Sequence, residues 1–139
     1  MGARESNPGS LILALSGKEA VVEASSGARA FAEDQWLTED ECARLCIIVE
    51  ELLANLFEHG GLSGSDKVEL SLASEPGGIR IVIVDPGPPF DPRSAPTPSE
   101  RPERGGGAGI DIVRAWAEFV DYSQISEGNR LELMLPVGS

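Results

Sequence analysis

The sequence predicts an α+β domain, a two-layer α/β sandwich with helices on one face of a mostly antiparallel, mixed sheet. Three observations predict it. The stretch "TEDECARLCIIVEELLANLFEHGG" (38–61) is one amphipathic helix with start and stop signals at its two ends. Residues 66–87 and 120–136 each read as a β-hairpin. The order strand, helix, helix, hairpin, long loop, helix, hairpin lacks the strand–helix alternation of a doubly wound parallel sheet.

Each element has its own signal. Residues 1–9, "MGARESNPG", read as a flexible, loosely held terminus, and the domain as 10–139. "SLILALS" (10–16) is a short buried strand. Residues 18–36 form a helix through Ala20, Val21, Ala24, Ala28, Phe31 and Ala32, with its period weakened at Ser25, Ser26 and Gly27. In the long helix, Thr38 followed by Glu41 is a capping box, and Gly60 with Gly61 closes the other end. Val68, Leu70 and Leu72 alternate before a turn at Pro76, Gly77 and Gly78, and an apolar run from Ile79 to Val84 returns. Residues 86–107 contain seven prolines and four glycines, which marks a long connection of the kind that forms lids or binding loops. "AGIDIVRAWAEF" (108–119) resumes a helical period, and the last hairpin turns at Glu127, Gly128 and Asn129.

Composition narrows the function classes. The 139 residues suffice for one domain with a core of Leu, Ile and Val, since aromatics make up only 5%. The net charge of -12 and the lack of any Lys/Arg run argue against nucleic acid and favour a basic protein surface as partner. The longest early apolar run, "LILAL", is too short for a signal-peptide core or a membrane span, which predicts a cytoplasmic protein with no membrane partner. Cys42 and Cys46 have no second pair of ligands, so they read as buried reduced thiols.

Three stretches carry chemistry. At about 100° per residue, Leu45, Val49, Leu52, Leu53 and Leu56 form one apolar stripe. Glu51, Asn55, Glu58 and His59, the only histidine, form a polar strip at its edge. Such a strip is often only a solvated face. A Glu and an Asn one turn apart also supply a carboxylate to deprotonate a nucleophile and an oxygen ligand for Mg²⁺. "VDPGPPFDP" (84–92) leaves Asp85 at the exit of an apolar strand, where it needs a donor such as an adenine amino group, and Gly87 allows a flat ring close approach. An Asp-Pro-Gly turn is the plainer reading. "GGGAGIDIV" (105–113) runs glycines into a helix start, where backbone N–H groups and the helix dipole favour phosphate. It is neither a P-loop nor G-x-G-x-x-G, whose last position here is Ile110.

In this order, ExxxN on a helix, DxGxxF after a strand and GGxGI before a helix, the motifs resemble the N, G1 and G2 boxes of the GHKL ATPase superfamily. The chain is most similar to the small RsbW-like anti-sigma-factor serine/threonine kinases, over about residues 10–136. The resemblance implies a Bergerat-type ATPase fold, ATP and Mg²⁺ as cofactors, and an ATP lid over about 88–107. It implies Glu51 as catalytic base, Asn55 as the Mg²⁺ ligand, and Asp85 with Gly87 and Phe90 at the adenine. His59, Arg104, Gly105, Gly107, Gly109 and Ile110 complete the implied nucleotide site. Ala108 stands where relatives often carry Leu, and Arg104 precedes the glycine cluster rather than lying inside it. The implied activity is phosphorylation of a small antagonist (anti-anti-sigma) protein by a kinase that also sequesters a sigma factor and is often a homodimer. A non-catalytic ATP-binding module that only sequesters partners is the alternative.

Overall fold

The structure, a computed structural model, describes residues 4–7, 9–92 and 108–138. Its elements are β1 (Arg4–Asn7), β2 (Ser10–Leu15), α1 (Ala20–Asp34), α2 (Glu39–His59), β3 (Val68–Glu75), β4 (Gly78–Asp85), α3 (Ala108–Trp116), β5 (Glu118–Ile125) and β6 (Gly128–Pro136). The strands form one six-stranded sheet in the order β1-β2-β3-β4-β6-β5. Every pairing among the described residues is antiparallel, so the sheet is not mixed as the sequence suggested. Arg4–Asn7, expected to be loosely held, pair with β2 as an edge strand.

Alternation along the strands sends Leu11, Leu13, Leu15, Leu70, Leu72, Ile79, Ile81, Ile83, Leu133 and Leu135 to one face, and all are buried. The three helices cover that face. Ala20, Ala24, Ala28 and Ala32 give α1 a small-residue stripe that lets it lie close to α2 and β2. Gly27, a weak point in the helical period, is where the approach is tightest: a Cβ there would stand 2.7 Å from Leu13 Cδ1. Ser25 Oγ donates to Glu50 Oε2 at 2.5 Å and ties α1 to α2. On the opposite face, Arg80 pairs with Glu75 at 2.6 Å and with Glu132, which also pairs with Arg130 at 2.9 Å, linking β3, β4 and β6.

The helix ends follow their local chemistry. Thr38 Oγ1 accepts from Glu41 N–H at 3.1 Å while Glu41 Oε1 accepts from Thr38 N–H at 2.9 Å, the expected reciprocal cap of α2. At the end of α1, Trp36 N–H donates to Glu33 O at 3.2 Å and Leu37 N–H to Ala32 O at 3.0 Å. This is a Schellman cap with tryptophan, at φ 60°, in the left-handed position usually given to glycine. α2 ends as Gly60 N–H donates to Leu56 O at 2.7 Å.

Two boundaries near the C-terminus differ from expectation. α3 stops at Trp116, whose ring lies 5.5 Å from the Arg44 guanidinium of α2, and β5 starts at Glu118. The last turn is only Ser126 and Glu127, so Gly128 and Asn129 already belong to β6. Within β5 the register shifts between Phe119 and Asp121, with Val120 the extra residue of a β-bulge.

Candidate nucleotide site

Leu52 and Leu56 of α2 stand beside Ile83 and Asp85 at the exit of β4, and Glu51 on the same helix meets Gly109 of α3. The polar strip of α2 is not uniform. Asn55 is buried at 9% exposure and Glu51 is half-buried, whereas Glu58 and His59 are exposed. Asn55 sits among Leu52, Leu53 and Leu56, and its Nδ2 is shielded from solvent without a hydrogen-bond partner among the described residues. An orphaned buried amide N–H is costly, about 1–3 kcal/mol, so it marks a place suited to a group that brings an acceptor, such as a phosphate oxygen.

Glu51 lies against the first turn of α3. A Cβ built on Gly109 would overlap the Glu51 carboxylate and stand 2.7 Å from its Cγ, so only glycine leaves the carboxylate where it is. The N-terminal turn of α3 also favours the negative charge. The structure therefore brings Glu51 and Gly109 together, from motifs 58 residues apart in sequence. Ile110, next in line, is 3% exposed and anchors α3 in the core. His59 projects into solvent with its Nε2 3.7 Å from Glu58 Oε1, and among the described residues no hydrogen bond or ion pair joins it to Glu51, Asn55 or Asp85. Arg104, Gly105 and Gly107 lie outside the described residues, as does most of the segment expected to form the lid.

The second part of the site is built on β4 and β6. Asp85 is 5% exposed, and its Oδ1 accepts from Gly87 N–H at 2.8 Å, the Asp-Pro-Gly turn anticipated from sequence. Gly87 is needed for packing within the chain. A Cβ there would meet Leu62 Cδ2 at 2.8 Å and Gly60 O at 2.9 Å, because the turn presses on the end of α2.

Opposite Asp85 in the β4–β6 ladder stands Asn129, a residue the sequence reading did not single out. Its Nδ2 donates to Asp85 Oδ1 at 3.2 Å and to the carbonyls of Gly87 and Pro88 at 3.0 Å each. Its Oδ1 accepts from the Tyr122 hydroxyl at 3.0 Å, which in turn accepts from Phe90 N–H at 2.8 Å. The nearest sequence signal was an Asn directly after the turn glycine of the last hairpin, at the start of an alternating strand.

Leu52, Leu56, Ile83, Phe90, Pro92, Tyr122 and Leu131 wall a narrow cleft around Asp85. Apolar walls with one carboxylate suit a flat heteroaromatic ring that offers a hydrogen-bond donor. No group of three or more His, Cys, Asp or Glu side chains able to hold a metal occurs among the described residues. A cation here would come with phosphate oxygens and meet Asn55, which is how Mg²⁺ is commonly held beside nucleotides. Cys42 and Cys46 are free and buried, and burial first, then the neighbouring Cys42, pushes the Cys46 thiol up to about 11.

The model of the histidine kinase-like ATPase domain matches residues 15–135. The chain belongs to this family. It therefore carries a kinase-like ATPase domain of a class that binds ATP, usually with Mg²⁺. No curated protein sequence matches it. Among solved structures, a blue-light activated histidine kinase from Erythrobacter litoralis EL346 is similar at 16% identity and a TM-score of 0.55, covering 88% of this chain and 42% of that one. The histidine kinase domain from the same protein is 19% identical at a TM-score of 0.49, covering 70% and 45%. The chain thus spans less than half the length of these structures, and at such identities the likeness concerns the fold. No helix among the described residues is long and apolar enough to cross a membrane.

Proposed function

We propose that this domain binds Mg²⁺-ATP and transfers the γ-phosphoryl group to a serine or threonine hydroxyl of a small antagonist protein, thereby switching a sigma factor between bound and free states. The observation that carries the reading is the unfinished polar edge of α2, where Asn55 has a buried amide nitrogen without a partner among the described residues and Glu51 is fixed against Gly109. Asp85 and its apolar cleft would take the adenine, and Asn55 would hold Mg²⁺ on the phosphates.

Glu51 would accept the proton of the acceptor hydroxyl. That oxygen would then bond to the γ-phosphorus as the bond to the β–γ bridging oxygen breaks and ADP leaves. On this reading the acceptor lies on another protein, and His59, the only histidine of these 139 residues, is exposed on α2 beside Glu58. The net charge of -12 favours partners with basic surfaces, and a homodimer fits the same reading.

Calorimetry with ATP, ADP and GTP, with and without Mg²⁺, followed by phosphoryl transfer to the antagonist, tests this. Wild type should bind adenine nucleotides selectively and with Mg²⁺ dependence. Glu51→Gln should keep that binding and abolish transfer; undiminished transfer removes Glu51 from the catalytic role. Binding without transfer in the wild type would leave a partner-sequestering ATP module.

A further inference from the structure

We propose that Tyr122 is a positioning residue for base recognition, acting through Asn129 on Asp85; the proposal rests on reading the cleft as the nucleotide-base site. The Tyr122 oxygen receives the Phe90 N–H at 2.8 Å and lies 3.0 Å from Asn129 Oδ1. A backbone N–H can only donate, so the single phenolic proton is left for Asn129. The atom of Asn129 facing Tyr122 is thereby the carbonyl oxygen, and the amide nitrogen is turned toward Asp85.

The consequence falls on the cleft. Asn129 has two N–H groups for three acceptors, Asp85 Oδ1 and the carbonyls of Gly87 and Pro88, so it has none to offer a ligand. Asp85 Oδ1 already takes two donors, while Oδ2 takes none among the described residues. What remains for a ligand is an acceptor. A ring with an exocyclic amino group satisfies it, and a ring with a keto oxygen at that place sets acceptor against acceptor. Tyr122 also fixes Phe90, which forms one wall of the same cleft.

The fold shows how Tyr122 reaches this position. Asn129 and Leu131 point to the helix-covered face, and Tyr122 pairs with Leu131 because the bulge at Val120 advances β5 by one residue. In an unbroken ladder Asp121 would oppose Leu131, and a second carboxylate would stand beside Asp85 and Asn129.

The test is Tyr122→Phe in the full chain, with ATP, ADP and GTP binding measured by calorimetry with and without Mg²⁺, and folding checked by circular dichroism. The preference for ATP over GTP should fall about tenfold, with ATP and ADP weakened alike and the Mg²⁺ dependence unchanged. Asn129→Leu should lower the same ratio further. A folded Tyr122→Phe protein with the wild-type ATP:GTP ratio, or one that loses both nucleotides by the same factor, overturns the proposal. Wild-type protein that binds no adenine nucleotide overturns the underlying reading of the cleft, and this inference with it; the two failures are thus distinct.

Discussion

The two ends of the site are built on different principles. At the β4–β6 end, Asp85, Asn129, Tyr122 and Phe90 form a closed relay in which donors and acceptors meet within 3.2 Å, except one carboxylate oxygen. At the α2–α3 end, Asn55 has a shielded nitrogen without a partner among the described residues, and Glu51 is placed by the absence of a side chain at Gly109. The first end is finished by the chain and supplies shape. The second is left open, and on the proposed reading its unmet groups serve phosphate and metal, since groups already satisfied by the protein would have nothing left for them.

Perturbing each end should break this contrast in a characteristic way. The largest effect belongs to Gly109→Ala, whose methyl must displace the Glu51 carboxylate. Phosphoryl transfer should fall by roughly 10²-fold or more, the contribution of a positioned general base, with nucleotide binding affected far less. Steady-state kinetics beside calorimetry would separate the two. Next, Asn129→Leu strips donors from Asp85 and the Gly87 and Pro88 carbonyls, and should lower unfolding stability by about 3 kcal/mol in a urea titration at unchanged slope. Asn55→Leu at the open end should move the other way. Removing an unsatisfied buried amide should leave stability equal or raise it by about 1 kcal/mol, while the Mg²⁺ dependence of ATP binding disappears. A loss of stability as large as that of Asn129→Leu would mean that the open end is structural after all.

The smallest effect calibrates the scale away from the site. Hydrogen bonds from Gly138 and Thr38 N–H hold the half-buried Glu41 carboxyl below the usual carboxylate range. A depressed carboxylate stabilises the fold above its unfolded-state value, and the contribution disappears as pH falls through the lower folded-state value. Glu41→Gln should therefore flatten the acid limb of a stability-versus-pH curve slightly, by less than about 1 kcal/mol, without changing nucleotide binding.

The open end was largely legible in the sequence, and the finished end was not. α2 declared itself through signals within a few residues of each other: the Thr38 and Glu41 cap, the leucine stripe and the closing glycines. Glu51 and Asn55 followed from it, although projection on a helical wheel could not show that Asn55 is buried while His59 is solvated. Asp85 was visible at its strand exit. Asn129 and Tyr122 were not, because their roles depend on β6 pairing with β4 across 44 residues and on the phase of β5, which no local pattern reports. β1 escaped for a related reason. "RESN" has no apolar alternation, since an edge strand in the sheet is held by backbone pairing. The turn read at 127–129 lies at 126–127, and the offset hid that Asn129 stands in the ladder.

The bulge in β5 has a consequence for tolerance to length change. Phe119 opposes Leu133 and Asp121 opposes Glu132, so Val120, 48% exposed, has no partner of its own on β6. Excising Val120 would let Phe119, Asp121 and Tyr122 keep their present opposites in an unbroken ladder, losing only the local kink. A deletion is ordinarily the harshest edit a strand can receive, because it inverts every residue beyond it. Here the chain carries one spare residue, and removing it should disturb the domain less than removing either neighbour.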